Sequence, residues 1–150
     1  MVSIFDVVKY ILNKKNNITA MKLQKLVYYC QAWSIVWDGK PLYKEKIEAW
    51  VNGPVVRELY EKHKGMYEIK EDNFIADIGD ISILNEDQKE TIDAVIKYYG
   101  DKSPQWLSDL THKEDPWTIA REGLLDGERG ARIITHASLE EYYSSFGEDS

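Results

Sequence analysis

Residues 50–60 read Trp50-Val51-Asn52-Gly53-Pro54-Val55-Val56-Arg57-Glu58-Leu59-Tyr60, and they mark a sharp change of local structure. The apolar residues Ile47 to Val51 predict an extended segment. Gly53 allows backbone angles that other residues avoid, and Pro54 presets φ for the first turn of a helix. We therefore expect an extended segment that breaks into a helix opened by Pro54 and ended near Gly65.

The spacing of apolar residues predicts two helices before this break. The first is amphipathic and runs from Ile4 to Leu12. The second begins after a capping Thr19 and continues to about Trp37. Its many large apolar side chains make it the predicted central helix.

Four capping signals predict the helices that follow the break. They are Asn85 with Gln88, Ser103 before Pro104, Asp115 before Pro116, and Ser138 with Glu141. Residues 66–84 show no clean periodicity and are predicted as a loop that could include a short strand. Residues 123–131 hold three glycines and few apolar groups, so they are predicted as a mobile loop.

The predicted fold is mainly α, a single helical domain of about seven helices with a minor two- or three-stranded β element. In that element, Ile133-Ile134-Thr135 would pair with the extended segment Ile47 to Val51. We expect residues 1–150 to form one domain, with 147–150 as a frayed tail.

The composition excludes several classes of protein. The net charge of −7 disfavours a broad nucleic-acid-binding surface but leaves a local basic patch open. It would suit a basic protein partner, although charge by itself favours a simple role in solubility. No signal peptide and no run of 18 apolar residues is visible, so we expect a cytoplasmic protein without a membrane partner.

Catalytic and metal-binding patterns are weak. The single cysteine, Cys30, lies on the apolar face of the central helix and is predicted to be structural. The best enzymatic alternative is a hydrolase or metal enzyme built on His112, Glu114 and Asp115. The favoured interpretation is that His112 and Asp115 tie a loop between two short helices, and no cofactor is expected.

Lysines and aromatic residues near the break suggest binding. Lys22 and Lys25 with Lys40, Lys44 and Lys46 would form a small basic patch, although a solvated helix face is favoured. Trp50, Tyr60, Trp106 and Trp117 with Arg57 and Arg121 suit either a protein-binding hot spot or a corner of the core. Spacing alone favours the corner.

Three runs of sequence resemble the motifs of one protein family. They are Met21-Lys22-Leu23-Gln24-Lys25-Leu26-Val27-Tyr28-Tyr29, the run from Ile47 to Tyr60, and Leu110-Thr111-His112-Lys113-Glu114-Asp115-Pro116-Trp117-Thr118-Ile119-Ala120-Arg121. In this order they resemble the Panacea domain, the SocA-like antitoxin family of bacteria and their prophages. The motif residues map to Lys25, Trp50, Gly53, Pro54, Arg57, Tyr60, His112, Pro116, Trp117 and Arg121.

The resemblance implies an antitoxin that neutralises its cognate toxin by direct protein–protein binding, the toxin being encoded by the adjacent gene. A proteolytic adaptor that delivers a toxin to a protease is an alternative, as is a phage regulator that binds a host protein. The motif residues are expected to hold the fold, with toxin contacts on residues 66–84 or 123–131. A homo-oligomer is left open.

Overall fold

The computed structural model describes residues 1–147, and this part of the chain contains eight helices and five short strands. The helices are α1 (Ile4–Lys15), α2 (Ala20–Asp38), α3 (Arg57–His63), α4 (Phe74–Ile78), α5 (Glu86–Tyr99), α6 (Pro104–Lys113), α7 (Asp115–Ala120) and α8 (His136–Ser144). The strands are β1 (Asn17–Thr19), β2 (Ile47–Trp50), β3 (Gly53–Val56), β4 (Glu68–Lys70) and β5 (Arg132–Ile134). The mainly α prediction is confirmed. Of the predicted frayed tail, residues 147–150, the last three residues lie outside the part of the chain that the structure describes.

Helix α2 is the centre of the molecule. Its apolar residues are buried around most of its circumference, because α1, α5, α6, α8 and β3 all pack on it. It begins where the Thr19 hydroxyl accepts the Lys22 N–H at 3.1 Å, and it ends at Gly39 with φ +73°. Cys30 is fully buried there, and burial raises the pKa of its thiol, as expected of a structural cysteine.

Two small antiparallel sheets flank the helices. In the larger one the strand order is β3-β2-β5, with Ile47 opposite both Val56 and Ile134. The predicted pairing between β2 and the strand near Ile133 is therefore confirmed. The second sheet pairs β1 with β4, Ile18 lying opposite Ile69, and periodicity did not predict it. Within residues 1–147, no helix has both the length and the apolar content needed to cross a membrane.

The predicted helix start at Pro54 is wrong. Residues Gly53–Val56 form β3, and α3 begins three residues later, at Arg57. The φ that proline prefers also suits an extended strand, and β3 is an edge strand, where a missing N–H is tolerated. The end of α3 follows the prediction, because Gly65 adopts φ +85° just after the helix.

Two capping signals act as predicted and two do not. Asn85 and Gln88 form the reciprocal capping box, and Ser103 caps α6 ahead of Pro104. Glu114, however, occupies the cap position of α7, so Asp115 is already helical. Thr135 caps α8 by accepting the Ser138 N–H, which places Ser138 inside the helix. The cap position is displaced by one residue in α7, where Glu114 makes no side-chain capping bond, and by three residues in α8.

Residues 66–84 contain the short strand that the prediction allowed, but they are more regular than a loop. They contain β4, α4 and a 3-10 turn at Ile81–Ile83. The segment packs on α1, where the Asp6 carboxylate accepts the Asp80 N–H at 2.8 Å. Gly79 sits so close to α1 that a Cβ there would overlap the Phe5 carbonyl.

Gly79→Ala is expected to lower the free energy of unfolding by about 2–3 kcal/mol, because the added methyl must push the segment away from α1. Urea unfolding measures the loss. Gly39→Ala is the matched control: its φ is positive but its surroundings are open, so it should cost about 1 kcal/mol. Equal losses in the two variants would contradict close packing at Gly79.

Candidate functional site

The turn between β2 and β3 brings together most of the predicted motif residues. Carbonyl groups in this turn cannot all be satisfied by the sheet, so side chains from neighbouring helices donate to them. From α7, the Trp117 indole N–H donates to the Trp50 carbonyl at 2.8 Å. Just beyond α7, Arg121 Nη1 donates to the Ala49 carbonyl at 3.0 Å. The guanidinium carbon of Arg121 also lies 5.3 Å from the centroid of the Trp117 ring, in a cation–π contact.

Helix α6 supplies two further contacts to the same turn. The Ser108 hydroxyl donates to the Asn52 carbonyl at 2.9 Å. His112 Nε2 lies 2.9 Å from the Val51 carbonyl, and its Nδ1 lies 2.6 Å from the Ser108 carbonyl. A neutral imidazole donates to only one of these two oxygens, whereas an imidazolium donates to both. His112 therefore ties α6 to the turn, and the prediction that His112 and Asp115 tie the loop between α6 and α7 is wrong.

Helix α2 holds the other side of the turn. The Gln24 amide accepts the Val56 N–H at 2.9 Å, and its Nε2 donates to the Val56 carbonyl at 3.3 Å. Lys25 Nζ donates to the Pro54 carbonyl at 3.3 Å, and only 2% of this residue is exposed. The prediction that Lys25 belongs to a solvated helix face is wrong, because β3 covers it.

Gly53 occupies the tightest point of the turn. Its φ of +123° is a conformation that residues with a side chain rarely adopt. A Cβ at this position would lie 2.7 Å from Lys25 Cε and 3.1 Å from Thr111 Oγ1. Both the backbone angle and the closeness of α2 and α6 therefore require glycine here.

The outer face of the turn carries a cluster of aromatic and charged side chains. Arg57 makes two bonds to the Glu48 carboxylate, at 2.8 and 3.0 Å, and Trp50 donates to it at 2.9 Å. Partial burial raises the pKa of Glu48, but the bonds from Arg57 and Trp50 outweigh this and leave it lowered. The Trp50 ring contacts the Tyr60 ring edge to face, with 4.8 Å between the ring centroids.

The candidate hydrolase or metal site is not assembled. His112 faces the turn, Glu114 points into the core, and Asp115 is exposed at the start of α7. Among residues 1–147, no group of three or more His, Cys, Asp or Glu side chains is placed to hold a metal ion. Pro116 is buried in the first turn of α7, where it positions the helix that carries Trp117.

Sequence reasoning missed a buried network around Glu114. The hydroxyls of Tyr29 and Tyr143 donate to Glu114 Oε1 at 2.6 and 2.8 Å, and Tyr28 bonds to Tyr143 at 2.9 Å. Burial raises the pKa of Glu114, and the two tyrosine bonds partly oppose this rise. No local signal could have revealed the network, because its members come from α2, α8 and the junction between α6 and α7.

Two cavities lie on either side of the turn. The larger has a volume of about 790 Å³ and opens beside Lys25, Trp50, Arg57 and Tyr60. The smaller, of about 330 Å³, lies between α7 and residues 124–127. The motif residues thus do two things: some hold the turn from inside, and others line the larger cavity.

Residues 23–118 match the family model described as antitoxin SocA-like, Panacea domain. The match extends from α2 to α7 and includes the turn with most of its donors. No curated protein and no solved structure shows a significant match.

Gly53→Val is expected to lower the free energy of unfolding by about 3–5 kcal/mol, because it combines backbone strain with overlap against Lys25. Gly127→Val is the control, since its φ is also positive but no atom lies within 4 Å of the added Cβ. Its cost should be about 1–2 kcal/mol by urea unfolding. A Gly53→Val protein that stays folded and loses only its partner would favour the hot-spot interpretation instead.

Lys25→Met is expected to remove a rise in stability with pH. Burial lowers the pKa of Lys25 from 10.5 to about 8, so the unfolded state binds more protons than the folded state between these values. Relative to Lys25→Met, the free energy of unfolding of the unsubstituted protein should rise by about 2–3 kcal/mol across this window. Urea unfolding at both ends of the window measures it, and a constant difference would contradict a buried, unpaired ammonium.

Proposed function

Because the chain belongs to the SocA-like antitoxin, Panacea domain family, we propose that it neutralises a cognate toxin by direct protein–protein binding. The observation that carries this proposal is the family match over residues 23–118, nearly two thirds of the chain. In this proposal the toxin is encoded by the adjacent gene, the complex forms in the cytoplasm, and the antitoxin acts by covering a functional surface rather than by catalysis.

The side chains that donate to the turn point into the protein, which supports a structural role for most of the motif residues. Trp117, His112 and Arg121 donate to backbone carbonyls and are at least half-buried by the fold. A toxin cannot reach these bonds without opening the turn. Toxin contacts are therefore proposed elsewhere on the surface.

Residues 66–84 offer the best-supported contact surface. Four of their large apolar side chains are exposed: Tyr67 by 81%, Phe74 by 50%, Ile78 by 45% and Ile83 by 47%. Phe74 and Ile78 stand one helical turn apart on α4, so they share a face of that helix. Exposed aromatic and aliphatic groups of this size are typical anchors of protein interfaces.

The charge of the same segment suits a basic partner. Residues 66–84 contain five carboxylates and one lysine, and all six side chains are exposed. An acidic rim around apolar anchors steers and orients a positively charged partner, such as a toxin that acts on RNA. The inner side of the segment is held firmly by α1, so the exposed anchors are already positioned before binding.

Phe74→Ser and Ile78→Ser are each expected to weaken toxin binding by more than about tenfold, because they remove exposed apolar anchors. Rescue of growth on co-expression with the toxin from the adjacent gene, together with copurification, measures the effect. Ile119→Ser is the matched control, since Ile119 is also 50% exposed but lies on α7.

The possible results separate the parts of this proposal. If the unsubstituted protein neither rescues growth nor copurifies with the toxin, the antitoxin function is wrong. If all three serine variants behave like the unsubstituted protein, the function stands and the contact surface lies elsewhere. A fall in toxin level that depends on a protease would favour the adaptor alternative.

A further inference from the structure

The larger cavity beside the turn concentrates positive charge on an acidic protein. We call it the basic groove and define it by six of its lining residues: Lys25, Trp50, Arg57, Tyr60, Lys64 and Arg129. Among residues 1–147, no Asp or Glu lines this cavity, although the chain has a net charge of −7. The groove therefore differs in sign from the protein as a whole and favours an anion.

Lys25 lies at the buried end of this groove with most of its bonding capacity unused. Its ammonium group carries three N–H donors, and the only hydrogen bond it makes among the described residues is the one to the Pro54 carbonyl. It forms no ion pair with a carboxylate of residues 1–147. A buried charge without a counter-charge is costly, so an anion entering the groove would be held strongly there.

The rim adds charge that is not neutralised by the protein. Arg57 is paired with Glu48, whereas neither Lys64 nor Arg129 makes an ion pair within the described part of the chain. With Lys25, they bring three uncompensated positive charges to one groove. A single carboxylate neutralises one of them, whereas phosphate groups carry more charge and accept several hydrogen bonds at once.

The remaining wall of the groove is apolar and aromatic. Trp50 and Tyr60 are half-buried and meet edge to face, which leaves part of both rings on the cavity surface. The volume of about 790 Å³ lies within the range of small-molecule sites, roughly 300–1,000 Å³. A wall of this kind suits a planar, uncharged group attached to the phosphates.

We infer that the basic groove binds a nucleotide, with its phosphates at Lys25, Lys64 and Arg129 and its base against Trp50 and Tyr60. This inference goes beyond the antitoxin function and does not require the toxin. The anion would supply the counter-charge that Lys25 lacks, so nucleotide binding should also stabilise the folded protein.

Calorimetric titration of the purified full chain with ADP and with ATP at low salt tests the inference. Both should bind saturably with Kd below about 1 mM, and the affinity should fall as salt is added. Lys64→Ala and Arg129→Ala should each weaken ADP binding by about five- to tenfold. Both residues are exposed, so these variants are expected to fold. Lys25→Met should abolish ADP binding.

Two controls make the result specific to the groove. Lys97→Ala removes an exposed lysine on α5 outside the groove and should leave ADP binding unchanged. Tyr60→Leu should weaken binding of ADP but not that of inorganic phosphate, because only ADP carries a base.

Several outcomes would overturn the inference. They are no binding of ADP or ATP, equal affinity for inorganic phosphate and ADP, an equal effect of Lys97→Ala and Arg129→Ala, or binding of a polyglutamate peptide in place of nucleotides. Since the toxin takes no part in these measurements, the nucleotide site can fail while the antitoxin function stands.

Discussion

The backbone carbonyls of the β2–β3 turn are the constraint on which the rest of the structure depends. The chain reverses between Trp50 and Gly53 in a partly buried place, where an unpaired carbonyl is costly. The donors come from α2, α6, α7 and the residue that follows α7, so satisfying one turn fixes how these helices stand relative to one another. Glycine at position 53 lets α2 and α6 approach closely enough for the donors to reach.

Apart from Lys25, which serves both the turn and the basic groove, the side chains that donate to the turn differ from those proposed to contact other molecules. The donors face inward, the basic groove lies on one side of the turn, and the exposed anchors Phe74 and Ile78 lie on a segment attached to α1. If a toxin binds residues 66–84 as proposed, a change of partner would require substitutions there and none in the turn.

Sequence predicted the parts of the fold that depend on local chemistry. The Asn85–Gln88 box and the positive φ of Gly65 follow from neighbouring residues alone, and both are confirmed. Pro54 failed because its φ suits a strand as well as a helix, and only pairing with β2 decides between them. The burial of Lys25 and the contacts of Glu114 depend on residues distant in sequence, so no spacing rule could reveal them.

The fully buried position of Cys30 has a practical consequence. Its thiol is inaccessible and its pKa is raised, so thiol-directed reagents will not modify it while the protein is folded. No other cysteine is present in the chain. A cysteine introduced on the outer face of α4 would thus be the one reactive thiol, and a photo-crosslinker attached there would show whether a toxin binds this face.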